Sequence, residues 1–186
     1  VAAAWAMGID ADLIAAGGAK ATAHDATDRA PAPAARPNRV SLTGLTANGA
    51  IHWGPQTGAK VIILSDFHCS YCKKLERELE EVGARVEERP ISIFGKESRA
   101  LAEAVLCAYN PAAALKAAYQ GQALRKARAC DTSGLDANEA FARKHNISGT
   151  PVLIRADGTM LEGYRPASVI AAFLKAGSTP AADEER

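Results

Sequence analysis

The stretch Ser65–Lys74, written SDFHCSYCKK, holds two cysteines, Cys69 and Cys72, separated by two residues. It follows an apolar, mostly β-branched run, Lys60–Leu64, that is typical of a strand buried on both faces of a sheet. After the stretch, apolar residues recur every three or four positions, which indicates an amphipathic helix that ends at Gly83. The cysteine pair is therefore predicted to lie where a buried strand gives way to a helix.

That position has a chemical consequence for Cys69. The N–H groups at a helix N-terminus are unpaired and the helix dipole is positive there, so a thiolate is favoured over a thiol. Cys69 is predicted to be an exposed nucleophile, and Cys72 a more buried thiol that resolves mixed disulfides. The alternative is half of a zinc site, which needs two further ligands at suitable spacing.

The bulk composition limits the classes of function. The chain has 186 residues, of which 48% are hydrophobic, and its formal net charge is +1. This length suits one domain of ordinary size plus a segment outside it. The charge balance does not favour a nucleic acid or a membrane surface as partner. The four cysteines allow three different pairings into two disulfides.

Composition also divides the chain. Residues 1–39 are rich in alanine and proline, which is typical of a semi-rigid linker or of plain disorder. Their apolar start also fits the remnant of a targeting or anchor segment. Residues 40–178 are predicted to form one catalytic domain, and the polar residues 179–186 a flexible tail.

Within that domain the predicted elements alternate. Strands are predicted at Ile51–Trp53, at Ala84–Val86 together with Ile91–Phe94, and on both sides of the turn Asp157-Gly158. Helices are predicted to cover residues 98–109, to begin at Asn110-Pro111 and at the capping-box pattern of residues 136–139, and to cover residues 166–174. This order predicts an α/β fold, with a mixed central sheet, helices on both faces and a helical insertion at about residues 96–146.

Several motifs occur together with the cysteine pair. Asp66 stands shortly before Cys69, Tyr71 directly before Cys72, and Gly149-Thr150-Pro151 precedes the predicted hairpin. A second pair, Cys107 with Cys130, falls in the predicted insertion. As a set over residues 51–175, these motifs resemble the thioredoxin fold and, more closely, the periplasmic disulfide isomerases of the DsbC/DsbG type.

The resemblance implies roles for particular residues. It implies a thioredoxin-like fold with a cis peptide bond before Pro151, so that the Thr150 main chain pairs with an extended substrate segment beside Ser70 and Tyr71. It also implies a structural disulfide between Cys107 and Cys130; two buried free thiols are the alternative.

Two polar residues beside the pair are candidates for tuning the protonation of Cys69. A charged His68 would favour the thiolate, although such a histidine is often simply exposed to solvent. Asp66 would act as a proton relay, although an aspartate at a strand-to-helix junction is commonly only a turn or cap residue.

The function implied by the resemblance is a periplasmic thiol-disulfide oxidoreductase that isomerises or reduces incorrect disulfides in exported proteins. Such an enzyme needs no cofactor and no metal, and a membrane electron donor of the DsbD type keeps its cysteines reduced. The alternatives are an oxidant or reductase that serves one client, such as a secretion or conjugation apparatus, and a non-catalytic chaperone module.

Two departures bear on this expectation. The dipeptide Ser70-Tyr71 stands where the family usually has Gly-Tyr or Pro-Tyr. Residues 1–39 do not resemble the family's N-terminal dimerisation domain, so both a monomer and a homodimer stay open.

Overall fold

The computed structural model describes residues 38–178. Within them, a single mixed sheet has the strand order β1-β3-β2-β4-β5. Its strands are β1 (Ile51–Trp53), β2 (Lys60–Ser65), β3 (Arg85–Pro90), β4 (Val152–Arg155) and β5 (Met160–Glu162). Strand β2 runs parallel to β3, and the other three neighbouring pairs are antiparallel.

Helices cover both faces of this sheet. They are α1 (Ser70–Val82), α2 (Lys96–Leu106), α3 (Pro111–Tyr119), α4 (Ser133–Lys144) and α5 (Ala167–Ser178). On the first face, sheet residues such as Val61 and Ile63 pack with α1, α2, α3 and α5. On the second face, residues such as Ile62 and Ile154 pack with α4. The predicted α/β class, with a mixed sheet, helices on both faces and a helical insertion, is confirmed.

The strand and helix that carry the cysteines form as their sequence predicts. Residues 61–65 of β2 are all buried, because the strand is central and covered on both sides. Helix α1 buries Cys72, Leu75, Glu76 and Leu79 on one side. It ends at Gly83, which adopts the left-handed conformation with φ of 71°. That conformation is available to glycine without steric cost, so the end of α1 is encoded locally.

The prediction of a strand at Ile91–Phe94 was wrong. Strand β3 instead continues from Val86 through three charged residues and ends at Pro90, which pairs with Ser65. Ile91 still donates its N–H to the Ser65 carbonyl, and the chain then turns toward α2. The predicted strand stopped too early because a run of charges is not typical of a buried strand.

The start predicted for α4 was also wrong. The helix begins at Ser133 rather than at Asp136, and Glu139 accepts a hydrogen bond from the Ser92 N–H instead of capping the helix. Helix α2 ends at Leu106, short of the predicted limit, and α5 continues to Ser178. By contrast, Asn110 caps α3 as predicted, because its side chain accepts a hydrogen bond from the Ala113 N–H.

At the start of the described chain, Asn38–Val40 lies along the β4–β5 hairpin. Val40 donates to the Gly158 carbonyl, and Met160 donates to the Asn38 carbonyl. The boundary predicted at residue 40 falls within this segment. The linker, anchor and tail predictions for residues 1–37 and 179–186 lie outside the described residues. No helix within residues 38–178 is both long enough and apolar enough to cross a membrane.

Candidate active site

The two thiols of the first face lie at the N-terminus of α1. Cys69 is the N-cap residue, and its sulfur accepts a hydrogen bond from the Cys72 N–H at 3.4 Å. Its own N–H donates to the Asp66 carbonyl at 2.9 Å, which fixes the turn between β2 and α1. Neither cysteine is in a disulfide. An N–H donor and the positive end of the helix dipole both favour negative charge on the Cys69 sulfur.

Both thiols are buried, which corrects the expectation that Cys69 is exposed. Cys69 is 7% exposed and Cys72 is 2% exposed. The Cys69 sulfur lies against the main chain of the opposite loop, 3.6 Å from the Thr150 carbonyl oxygen. Burial raises the pKa of the Cys72 thiol well above its ordinary value. The order of burial, with Cys72 the deeper residue, is the one predicted.

The loop before β4 forms the other wall of the site. The peptide bond between Thr150 and Pro151 is cis, and Pro151 is buried while Thr150 is partly exposed. An open cleft of about 270 Å³ runs alongside this loop, lined by Asn146 and residues 148–152 together with Glu162 and Gly163. The cleft gives an extended chain room to approach the Thr150 main chain.

A hydrogen-bonded group of three side chains lies on the other side of Cys69. Asp66 is buried, and its carboxylate accepts hydrogen bonds from the Ser98 hydroxyl at 2.8 Å and from the main-chain N–H of His68 at 2.9 Å. The Ser98 oxygen lies 3.0 Å from His68 Nδ1. Because the single Ser98 proton is donated to Asp66, the Ser98 oxygen must accept from Nδ1–H. This places the proton of a neutral His68 on Nδ1 and leaves Nε2 as its basic nitrogen.

Ser98 was not found from the sequence. It lies 32 residues after Asp66, in the first turn of α2, and no local pattern joins the two positions. His68 and Asp66 were both candidates, and the structure brings them together through this serine. His68 itself is exposed, next to the buried Cys69.

Aromatic side chains form the outer rim of the site. Tyr71 is exposed, and its ring lies 6.3 Å from that of Tyr164, with the Lys74 ammonium within 6 Å of both ring centres. The Tyr164 hydroxyl donates to Glu78 at 2.6 Å, which fixes that ring. Tyr164 was also missed from the sequence, because only the fold brings the turn after β5 beside α1. Ser70, predicted with Tyr71 to contact substrate, is exposed at the start of α1.

The remaining cysteines lie away from this site. Cys107 and Cys130 form a disulfide with a Cα–Cα distance of 5.5 Å, which joins the end of α2 to the segment before α4. Within residues 38–178, no group of three or more histidine, cysteine or carboxylate side chains is placed to hold a metal ion.

The sequence of this chain is similar to those of known proteins. Residues 51–178 match the family model described as a thioredoxin-like domain. The chain is 27% identical over 138 residues to the thiol:disulfide interchange protein DsbC of Escherichia coli strain K12. That match covers 72% of this chain but only 58% of the DsbC length.

Two solved structures share the fold. A disulfide interchange protein from Neisseria gonorrhoeae superposes with a TM-score of 0.61 at 22% identity, covering 69% of this chain and 95% of that one. A thioredoxin-like oxidoreductase from Silicibacter pomeroyi superposes with a TM-score of 0.63 at 21% identity, covering 76% of this chain and all of that one.

Proposed function

The chain belongs to the family of thioredoxin-like domains, and on that premise we propose that it is a thiol-disulfide oxidoreductase acting through Cys69 and Cys72. The observation that carries the proposal is the position of Cys69. Its sulfur caps α1, accepts the Cys72 N–H and faces the Thr150 carbonyl at the edge of an open cleft. A nucleophile, a resolving thiol and a surface for an extended chain thus meet at one point.

The exchange proceeds in two steps. The Cys69 thiolate attacks one sulfur of a substrate disulfide, forms a mixed disulfide and releases the other substrate sulfur as a thiolate. The Cys72 thiolate then attacks the Cys69 sulfur, closes the Cys69–Cys72 disulfide and releases the second substrate sulfur. The substrate gains two electrons in this sequence and the cysteine pair loses them. Where a substrate thiol attacks the mixed disulfide instead, the substrate is isomerised and the pair stays reduced.

The finer role is an isomerase or reductase of wrong disulfides in exported proteins, in the periplasm. The DsbC relative supports the class of reaction, although the match spans little more than half of DsbC. The Cys107–Cys130 disulfide supports an oxidising compartment, since structural disulfides persist there. In that compartment the Cys69–Cys72 pair needs an electron donor of the DsbD type to stay reduced. Thiol trapping of the pair in cells with and without such a donor tests this partner.

The deciding experiment is refolding of scrambled-disulfide ribonuclease in a glutathione buffer. We expect the intact protein to restore ribonuclease activity and Cys69→Ser to fall to the rate of the buffer alone. Cys72→Ser keeps the first attack and is expected to accumulate a mixed disulfide that non-reducing electrophoresis detects. If the protein reduces insulin but does not rescue ribonuclease, it is a client-specific oxidoreductase and not an isomerase. Wild-type activity in Cys69→Ser would overturn the proposal as a whole.

A further inference from the structure

Charge is distributed unevenly along the chain. Residues 104–130 contain four cationic side chains and no carboxylate, although the formal net charge of the whole chain is only +1. One of the four, Lys116, is paired with carboxylates of α1. The other three are Arg125, Lys126 and Arg128, and they form no ion pair with any residue in the described part of the chain. The helical insertion thus carries a local excess of positive charge that the fold does not neutralise.

The three unpaired cations lie on an irregular segment between α3 and α4, residues 123–130, hereafter the cationic segment. It contains no helix or strand, and within residues 38–178 its main chain makes no main-chain hydrogen bond. Its ends are nevertheless fixed, because Gln122 donates to a carbonyl of α3 at 2.9 Å and Cys130 is joined to α2 by its disulfide. Leu124 packs against the core of the first face. An anchored segment of this kind presents free main-chain groups at a reduced cost in ordering.

An apolar groove lies between the cationic segment and α3. It has a volume of about 400 Å³ and is lined mainly by alanines, together with Tyr109 and Leu124. Among the described residues that line it, only Arg125 and Lys126 are charged. The Tyr109 side chain is 79% exposed, and the Arg128 guanidinium lies 5.0 Å from the centre of its ring. No residue of the redox site lines this groove.

The chemistry of this surface selects its occupant. Unpaired cations require a partner with negative charge, and an alanine-lined groove requires apolar side chains. A nucleic acid would satisfy the cations but not the groove, and a lipid would leave the extended main chain unpaired. A polypeptide satisfies all three features. Tyrosine and arginine, both present here, are the residue types that contribute most often to the energy of protein interfaces.

We propose that the cationic segment and this groove form a docking surface for an acidic, partly apolar segment of a partner protein. Its carboxylates pair with Arg125 and Lys126, and its apolar side chains enter the groove and cover Tyr109. Its main chain pairs with the free main-chain groups of the cationic segment, as in other cases of strand addition. The surface contains neither Cys69 nor Cys72, so the inference goes beyond the proposed function and does not depend on it.

The test exposes the intact protein to a phage-displayed library of random peptides that lack cysteine, so that none is captured covalently at Cys69. We expect the bound peptides to be enriched in aspartate and glutamate together with leucine, isoleucine or phenylalanine. The Kd of one such peptide, labelled with fluorescein, is then measured by fluorescence anisotropy. In the double variant Arg125→Glu with Lys126→Glu we expect this Kd to rise at least about tenfold, because like charges then face each other. Tyr109→Ala should raise it about tenfold, as is typical of an aromatic residue at the centre of an interface.

Two matched variants serve as controls. Arg143→Glu with Lys144→Glu makes the same change of charge at the exposed end of α4. Phe94→Ala removes another exposed aromatic side chain, 59% exposed and outside the groove. Both are expected to leave the Kd of the peptide unchanged. If the charge-reversed groove variant does not fold, as judged by circular dichroism, Tyr109→Ala decides by the same measurement.

Three results would overturn the inference. The first is the selection of no peptide, or of peptides without an excess of acidic residues. The second is an equal loss of binding in the α4 control variant, which would reduce the effect to net charge. The third is a dimer that sedimentation detects and that Arg125→Glu with Lys126→Glu dissociates, because the occupant would then be a second copy of this chain. Failure of ribonuclease refolding would overturn the proposed function and leave this inference standing.

Discussion

Two neighbouring residues of β3 are both buried and ionisable, yet their surroundings differ. Arg89 is 4% exposed on the second face and Glu88 is 1% exposed on the first. Arg89 donates to Glu87 at 2.9 Å, to the Thr46 carbonyl at 2.8 Å and to Asn138 at 3.2 Å. Glu88 keeps an oxygen without a partner. Strand alternation sends these adjacent side chains to opposite faces of one sheet.

The difference separates a satisfied polar network from a buried carboxyl group that keeps an unpaired oxygen. On the second face, the Asn138 amide also donates to the Gly49 and Pro90 carbonyls, so each member of the group is held by others. A fully satisfied polar network makes a core rigid and specific. On the first face, burial raises the pKa of Glu88 to about 8, so its carboxyl group stays protonated at neutral pH. Cys69 and Cys72 lie on this first face.

The largest expected effect comes from breaking the satisfied network. Arg89→Met leaves the buried Asn138 Oδ1 without its Arg89 donor, takes one of two donors from the Thr46 carbonyl and removes the closer cation from Glu87. We expect the free energy of unfolding to fall by about 4 kcal/mol, as for other buried pairs that lose one partner. Urea unfolding measures this loss. Thiol exchange per folded molecule should not change, and a variant that is stable but inactive would contradict the division between the faces.

The second prediction concerns the pH dependence of stability. Folded Glu88 keeps its proton up to about pH 8, whereas the unfolded chain loses it near pH 4.5. Between these values the folded state binds the extra proton, so stability falls as pH rises, by at most about 1.4 kcal/mol per pH unit. From pH 5.5 to 7.5, wild type should lose up to about 3 kcal/mol more than Glu88→Gln. Parallel unfolding curves for the two proteins would show that Glu88 is ionised throughout.

The same comparison shows how much of the fold can be predicted from the sequence. Strand β2, helix α1 with its two cysteines, and the turn at Asp157-Gly158 follow from local patterns of apolar residues, caps and turn residues. The strand at β3 could not be predicted in full, because Arg89 is buried only with partners more than 40 residues away in sequence. A charged run predicts exposure unless its partners are known.

The residues of the candidate site also differ in whether the sequence alone indicates them. Cys69, Cys72 and Pro151 were singled out because their motifs are short and chemically distinctive. Ser98 and Tyr164 were missed because serine and tyrosine occur anywhere and only the tertiary fold brings these two to the site. The expected exposure of Cys69 was wrong for a related reason. The motif indicates a nucleophile, but the Thr150 main chain that covers its sulfur comes from a loop 81 residues later.

The smallest expected effect concerns the second cation beside Glu87 on the second face. Glu87 has two cationic neighbours: Arg89 at 2.9 Å, and Lys60 at 3.7 Å with 41% of its side chain exposed. Lys60→Met removes the same charge from the same carboxylate as Arg89→Met, but it leaves no buried acceptor unpaired. An exposed ion pair contributes little, so urea unfolding should detect a loss of about 0.5 kcal/mol or less. Equal losses in the two variants would mean that charge on Glu87, and not satisfaction of buried acceptors, stabilises this face.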